Sequence, residues 1–219
     1  MIIIQPQIKI DKEELDKTKL LNIERYTRVC YKSEPKNNSD NVIFLKKIIA
    51  SGHESVIEHE KVTVIFIVDR GVTHQIIRHR IASYSHESTR YCNYSSDKFG
   101  NEITVIEPFF FGNNNDYNIW KTACLQSEEA YIKLCETTNP EQARTVLPNS
   151  LKAELVTTYN FREWRHFFNL RCSRHAHPQM RQIAIPLLLL LKEHFYPIFD
   201  DIPYDETFSS LRYAKVEIV

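Results

Sequence analysis

Glycine is scarce in this sequence, which has only 4 glycines among 219 residues. No G-x-G-x-x-G pattern occurs, and the Rossmann fold needs that pattern because its backbone must turn tightly and approach a diphosphate closely. A Rossmann fold is therefore excluded. Any phosphate group that this chain binds has to be held by side chains rather than by a glycine-rich backbone loop.

The length and composition favour one domain that covers residues 1–219. Hydrophobic residues make up 42% of the chain, which is enough for a large core, and a chain of this length does not require a second domain. A polar break lies at residues 32–40. We find no internal repeat and no low-complexity linker that would divide the chain.

Residue periodicity predicts a domain that mixes helices and strands. The segments predicted as strands are 2–10, 59–69 and 152–160. The predicted helices are a short one capped by Asp11, one that ends at Gly52, 72–79, 120–136, 140–147, 162–171, and a long one from Pro178 that Pro186 kinks. Residues 81–94 and 107–118 are predicted to be loops.

Positive and negative residues balance, with 28 Lys and Arg against 28 Asp and Glu. The overall field of the molecule is therefore weak, and any attraction for anions has to come from local clusters. This balance argues against a protein that coats nucleic acid in general.

The five cysteines favour a reducing compartment, because their number is odd and none lies in a C-x-x-C pair. The first residues lack the basic region of a signal peptide, and the longest apolar run, Ile183–Leu191, is too short to span a membrane. A cytoplasmic protein without a membrane partner is therefore expected.

His175 and His177 resemble half of a metal site, but no third ligand is spaced to complete it, so no metal is expected.

Residues 78–91, RHRIASYSHESTRY, concentrate basic and hydroxyl side chains in one short stretch. The helix predicted over 72–79 would place Gln75, Arg78 and His79 on one face. Arginine forks suit phosphate oxygens, and a glutamine can pair with the amide edge of a base. Ser88, Thr89 and Arg90 add hydroxyls and backbone N–H groups, which are typical of a phosphate cradle.

Two other interpretations of this stretch stay open on composition alone. Cations at the end of a helix favour its dipole and can simply face water. Alternatively, a non-catalytic RNA- or nucleotide-binding module could grip backbone phosphates with the basic residues between Arg78 and Arg90 and stack bases on Tyr84, Tyr91 and Tyr94.

The spacing of Arg-His-Arg, seven residues, Ser88, and then Arg90 and Tyr91 resembles the signature of the flavin-dependent thymidylate synthases. RVCY (28–31), GHESVIEH (52–59), ARTVLP (143–148) and YNFREWRHFFNLRCSRHAH (159–177) resemble further segments of that family, in its order. The resemblance implies an α/β fold of the α+β type, with a central, mainly antiparallel sheet flanked by helices. It also implies a homotetramer whose active sites form where subunits meet.

The resemblance implies conversion of dUMP to dTMP, with methylenetetrahydrofolate as carbon donor and FAD, reduced by NADPH, as hydride donor. The positions that match dUMP-binding residues are Gln75, Arg78, Ser88, Thr89, Arg90, Arg144 and Arg171. Arg171 matches the catalytic residue, which lies against the uracil ring and stabilises negative charge there. Cys92 and Cys172 lie close to motif arginines, which could lower their thiol pKa values, but the family needs neither as a nucleophile.

The resemblance also implies a set of FAD-binding positions, in which arginines, histidines and asparagines meet the diphosphate and the ring edges. The matching positions are His53, Ser55, Glu58, Arg78, His79, Arg80, His86, Asn160, Arg162, His166, Asn169 and His175. One of them departs from the family pattern. The family usually has Asn-Glu where this chain has Ser85 and His86, and the glutamate comes one place later at Glu87.

Overall fold

The computed structural model describes residues 1–33 and 41–219. The polar break predicted at 32–40 lies outside these ranges except for Lys32 and Ser33. The described chain mixes helices and strands, as the periodicity predicts.

Seven strands form two sheets in the described residues. They are β1 (Ile2–Ile4), β2 (Gln7–Ile10), β3 (Lys61–Asp69), β4 (Ala82–His86), β5 (Thr104–Ile106), β6 (Lys152–Asn160) and β7 (Lys215–Ile218). The larger sheet has the order β4-β6-β3-β2-β7 and is mainly antiparallel. The smaller sheet pairs β1 with β5 in parallel, with Ile3 opposite Val105.

Seven α-helices accompany the sheets, together with short 3-10 turns. The helices are α1 (Thr18–Tyr31), α2 (Asn41–Ala50), α3 (Arg70–Ile76), α4 (Asn114–Cys135), α5 (Pro140–Ala143), α6 (Phe161–Arg171) and α7 (Pro178–His194). None of the helices in residues 1–33 and 41–219 is long and apolar enough to cross a membrane.

Side-chain caps fix the starts of two helices, each of which directly follows a strand. Asp69 ends β3, and its Oδ1 accepts a hydrogen bond of 2.8 Å from the Val72 amide at the start of α3. Asn160 ends β6, and its Oδ1 accepts one of 2.8 Å from the Glu163 amide at the start of α6. Each cap satisfies a backbone donor that the first helical turn leaves without a partner.

Some predicted elements differ from the observed ones. The strand predicted over 2–10 is two strands in different sheets, divided at Gln5 and Pro6, because proline has no amide hydrogen for a ladder. Asp11 precedes a 3-10 helix, Lys12–Leu15, but its side chain makes no cap bond. The helix predicted over 72–79 runs from 70 to 76, and the loop predicted over 81–94 contains β4.

The described chain divides into two compact units, each built from three separate segments. The first unit comprises residues 1–7, 66–78 and 85–156. Its hydrophobic core includes Ile103, Val105, Tyr131 and Leu151, all fully buried. The α-amino group of Met1 pairs with Glu102 and Glu128 at 2.9 and 3.0 Å in the same unit.

The second unit comprises residues 8–65, 79–84 and 157–219. Its core is aromatic, because Trp164 and Phe168 of α6 stack with ring centroids 5.4 Å apart, and Phe161 lies 4.9 Å from Phe195 and 5.4 Å from Phe199. This core holds the inner face of α6 and leaves its outer face available for polar side chains.

Proline 186 lies inside α7 in the second unit. A proline cannot donate a hydrogen bond to the carbonyl four residues earlier, which here belongs to Gln182. That carbonyl accepts a hydrogen bond of 2.8 Å from the Ala214 amide instead, just before β7 begins. A backbone acceptor released by the proline is therefore used to attach the carboxy-terminal segment.

Candidate functional site

His79 is the buried centre of a polar cluster in the second unit. It is only 3% exposed, although the arginines before and after it in the sequence are exposed. Its Nδ1 lies 3.1 Å from Glu163 Oε1. Arg171, at the end of α6, donates a hydrogen bond of 3.2 Å from Nε to His79 Nε2.

These two contacts determine the tautomer of the His79 ring. A guanidinium can only donate hydrogen bonds, so Nε2 has to be the acceptor and the ring hydrogen has to lie on Nδ1, facing Glu163. Burial, with Arg171 and His166 nearby, lowers the pKa of His79 to about 4, so the ring is neutral at pH 7. Burial raises the pKa of the Glu163 carboxyl and lowers that of Arg171.

Aromatic rings and a tyrosine pair hold His79 in place. The rings of Phe167 and His166 lie 5.1 and 5.3 Å from the imidazole, both edge to face. The hydroxyl of Tyr84 donates to the His79 carbonyl and also lies 2.7 Å from the hydroxyl of Tyr159. The imidazole therefore has little freedom to turn.

His79, Glu163 and His166 could together offer three ligand atoms to a metal ion, since these atoms lie within 4.8 Å of one another. Both nitrogens of His79 already have polar partners, and one of those partners is the Arg171 guanidinium. A cation would have to compete with that positive charge. The arrangement fits a hydrogen-bonded cluster better than a metal centre.

A cavity of about 360 Å³ lies in the second unit, which is within the usual range of small-molecule sites. Its lining includes three of the residues that the resemblance implies for FAD, namely His53, Ser55 and Arg162, and also Glu54. Arg162 pairs with Glu58 at 2.5 Å. The cavity therefore carries both a cation and hydrogen-bonding groups.

The outer face of α6 displays a polar stripe. Arg162, His166 and Asn169 are all exposed, as their spacing indicates. Asn169 donates from Nδ2 to the Arg165 carbonyl at 3.0 Å, while Arg165 is buried and pairs with Glu54 and Asp201. His175 is exposed beyond the end of this helix.

The first unit holds the basic and hydroxyl residues that the resemblance implies for dUMP. Arg144 Nη1 lies 3.4 Å from the Oγ1 of Thr89, which is buried. The Arg90 amide donates to Ser88 Oγ at 3.3 Å, and the Arg90 side chain pairs with Glu141 at 2.9 Å. Gln75 is partly buried and Arg78 is exposed in the same unit.

Neighbouring residues of the first unit bind the carboxylate of Glu87. Its carboxylate accepts hydrogen bonds from the Tyr94 hydroxyl at 2.8 Å, from Lys152 Nζ at 2.9 Å and from the Glu154 amide at 3.0 Å. Burial, with Arg70 and His74 nearby, lowers the pKa of His86. Position 86 therefore carries a neutral ring, whose Nε2 is buried without a hydrogen-bond partner among the residues that the structure describes.

Comparisons with known proteins identify the family. A sequence model described as "Thymidylate synthase complementing protein" matches residues 14–197. A flavin-dependent thymidylate synthase of Geobacter sulfurreducens is 37% identical over 183 residues, which cover 80% of this chain and 78% of that protein. Proteins with the same name from Pyrococcus abyssi and Corynebacterium aurimucosum are 34% and 32% identical, covering 74% and 80% of this chain and 68% and 76% of their own lengths.

The chain belongs to the flavin-dependent thymidylate synthase family. Within it, the structure corrects two expectations about the basic stretch and the cysteines. Gln75, Arg78 and His79 do not share a helical face, because α3 ends at Ile76 and His79 turns into the core. Burial raises rather than lowers the pKa of the Cys172 thiol, so Cys172 is not an activated nucleophile.

Several polar residues of these clusters were not predicted from the sequence. They are Glu54, Tyr159, Glu141 and Glu163, and the sequence singled out Tyr84 only for stacking on bases. The Asn160-Phe-Arg-Glu163 spacing is a signal that could have identified Glu163, because an asparagine cap followed three residues later by glutamate is typical of a capping box. In the structure the Glu163 carboxylate faces His79.

Proposed function

We propose that this enzyme converts dUMP to dTMP, with methylenetetrahydrofolate as carbon donor and FAD, reduced by NADPH, as hydride donor. The observation that carries the proposal is the attachment of Arg171 to the buried, neutral ring of His79. Family membership gives the reaction class, and this cluster supplies a fixed positive charge of the kind that the reaction needs.

Arg171 is the residue that we propose to activate the substrate. A guanidinium beside the amide of uracil stabilises negative charge on the ring, so the ring carbon that receives the methyl group becomes nucleophilic. Arg171 is partly buried, and a charge acts more strongly where water is excluded. No cysteine has to add to the ring in this scheme, which agrees with the raised pKa of Cys172.

The donor set of the second unit fits FAD. Arg162 offers a cation and His53 and Ser55 offer hydrogen-bonding groups in one cavity, while His166 lies on the same helix as Arg162. The remaining positions proposed for FAD are Glu58, Arg78, His79, Arg80, His86, Asn160, Asn169 and His175. When bound, FAD would supply hydride transfer, and the residues of the chain would bind and orient it.

Thr89, Ser88 and Arg144 are proposed to bind the dUMP phosphate, together with Arg90, Arg78 and Gln75. The contact between Arg144 and Thr89 supports this assignment, because it brings a guanidinium beside a hydroxyl. The ion pair between Arg90 and Glu141 is exposed on both sides, so little free energy opposes its exchange for a phosphate.

The RNA-binding alternative has weaker support. Of the three tyrosines that would stack bases, Tyr94 is buried and Tyr84 is hydrogen-bonded to Tyr159 and the His79 carbonyl. Tyr91 is 80% exposed and could stack on a base. A single exposed ring is a poor platform for single-stranded RNA, which uses successive aromatic side chains.

A visible spectrum of the purified protein tests the proposal directly. We expect flavin absorption that bleaches when NADPH is added without oxygen, and dTMP formation when dUMP and methylenetetrahydrofolate are also present. A colourless protein that binds RNA with a steep dependence on salt would support the rival module. A yellow protein that forms no dTMP under these conditions would contradict the proposed reaction.

Three further properties are proposals that rest on the family and the composition. We propose that the enzyme is a homotetramer, that residues 1–219 act as one functional domain and that the protein is cytoplasmic, with no nucleic-acid or membrane partner. The five cysteines are free in the structure, which suits a reducing compartment. Sedimentation equilibrium would test the assembly by giving four times the mass of one chain.

A further inference from the structure

Glu163 has no role in the function proposed above, although it is a nearly buried carboxylate beside the proposed activating group. Its side chain is 7% exposed. Its backbone amide is held by the Asn160 cap, and α6 also carries Arg171 eight residues later. A buried carboxylate is costly unless it has a partner, and the Glu163 side chain meets His79 Nδ1.

The chain of contacts runs in one direction, from Glu163 through His79 to Arg171. Glu163 accepts the Nδ1 hydrogen of His79, which leaves Nε2 as an acceptor, and Nε2 in turn accepts from Arg171 Nε. With the hydrogen on Nε2 instead, two donors would face each other and the guanidinium could not remain there. The position of one hydrogen therefore decides whether Arg171 Nε can donate to His79.

The residues around His79 restrict the orientation of its ring, so the tautomer is the property that can still change. Phe167 and His166 pack against the imidazole, and the Tyr84 hydroxyl holds the backbone carbonyl of His79. The low pKa of His79 keeps the ring neutral across the physiological range, so a tautomer choice exists there. Histidines elsewhere are set in the same way by the group that accepts their second ring hydrogen.

We propose that Glu163 is a positioning residue that fixes the Nδ1–H tautomer of His79 and thereby aims the Arg171 guanidinium at the substrate. This inference rests on the proposed function, because it assumes that Arg171 acts on the uracil ring. Glu163 itself does not contact the substrate.

The test compares variants that differ in whether they can accept the Nδ1 hydrogen. Glu163→Met removes the acceptor at nearly equal length, and Glu163→Gln keeps a carbonyl acceptor without the charge. We expect dTMP turnover to fall about ten- to a hundredfold in Glu163→Met and to recover largely in Glu163→Gln. The FAD content should stay the same in Glu163→Met and Glu163→Gln.

Glu24→Met, which removes another largely buried carboxylate in the second unit, is the matched control and should turn over normally.

Two readouts separate positioning from a merely structural role. The ¹⁵N chemical shifts of the His79 ring, assigned with a His79→Gln variant, distinguish a nitrogen that bears hydrogen from one that does not. We expect Nδ1–H in the wild type and Glu163→Gln, and a substantial Nε2–H population in Glu163→Met. The double variant of Glu163→Met with Arg171→Ala should be no slower than Arg171→Ala alone, because both changes act on one group.

The outcomes distinguish this inference from the proposed function. An Nε2–H ring in the wild type, unchanged turnover in Glu163→Met, or full additivity in the double variant would each overturn the inference. If Glu163→Met does not fold, an Nε2–H ring in the wild type would still overturn the inference. Normal turnover in Arg171→Ala would instead overturn the proposed role of Arg171 and leave the tautomer measurement standing.

Discussion

At the scale of single residues, three consecutive side chains of the Arg-His-Arg motif have different environments. Arg78 and Arg80 are exposed, whereas His79 is in the core of the second unit. A motif that looks like one basic patch is therefore two surface cations around a neutral, buried acceptor. Its middle residue acts through its lone pair rather than through a positive charge.

Arg171→Ala should keep bound FAD and lose most dTMP formation. A single directed charge is commonly worth about two to three orders of magnitude in rate, so we expect a fall of that size in kcat. Arg171→Lys serves as the comparison, because it keeps the charge but lacks the Nε–H that meets His79. We expect it to be intermediate. Single-turnover rates with FAD-loaded protein measure the effect, and an Ala variant with normal turnover would contradict the assignment.

Asp205 should make the stability of the second unit depend on pH under acidic conditions. Hydrogen bonds from Thr207 and Arg181 lower the pKa of its carboxyl below the usual aspartate value. The resulting stabilisation is present above about pH 4 and is lost as the pH falls through the lowered pKa. Urea unfolding between about pH 6 and pH 2.5 should therefore show a shallower pH dependence in Asp205→Asn than in the wild type.

The exposed Asp200 provides the control for that experiment. Asp200→Asn removes a carboxylate at the surface and is measured in parallel. An equal slope in wild type and Asp205→Asn would show that Asp205 does not contribute to the pH dependence of the free energy of unfolding.

The sequence predicts which residues belong to the candidate site better than it predicts which of them contact one another. The resemblance supplied His79 and Arg171, but their mutual contact depends on where α3 ends and on how the ring turns into the core. The sequence does not predict Glu163 as a site-related group, because a glutamate near a helix start is usually solvated. The resemblance draws attention to Glu87, but only the packing shows the hydrogen-bonding partners of both glutamates.

At the scale of elements, α4 offers a clear test of capping. Asn113 Oδ1 accepts from the Asp116 amide at 2.8 Å, and its Nδ2 donates to the Asp116 carboxylate at 2.9 Å. Asn113→Ala should lower the free energy of unfolding by about 1 kcal/mol. Asn118→Ala, at an exposed position inside the same helix, should raise it by up to about 0.7 kcal/mol, since alanine favours helix.

Thermal or urea unfolding of the two variants measures that difference directly. An Asn113→Ala variant that is as stable as the wild type would mean that the cap contributes nothing to α4.

Elements with strong burial patterns could be predicted, and weakly buried ones could not. The strand β6 was predicted with its observed bounds, because buried and less buried residues alternate along it. Helix α1 was missed because it buries only Ile23 and Thr27 among its described side chains. Strand β4 lies in a predicted loop, since Ala-Ser-Tyr-Ser-His lacks the β-branched residues that are typical of a strand.

At the scale of the whole molecule, the five cysteines should be dispensable for catalysis. A variant with Ala at the buried positions Cys124 and Cys172, and Ser at Cys30, Cys92 and Cys135, keeps polar groups out of the core. We expect its turnover to fall less than about tenfold, equivalent to about 1.4 kcal/mol in the barrier. Complete loss of dTMP formation in a folded, FAD-loaded sample would indicate cysteine catalysis instead.

The proline inside α7 has a practical meaning for anyone who wishes to stabilise this enzyme. Replacing a helical proline by alanine is ordinarily a safe way to strengthen a helix, because it restores a missing amide. Here the restored amide would compete with Ala214 for the Gln182 oxygen, so the gain within α7 would come with a weaker hold on the carboxy-terminal segment. A substitution at position 186 therefore changes the stability of α7 and the attachment of the carboxy-terminal segment together.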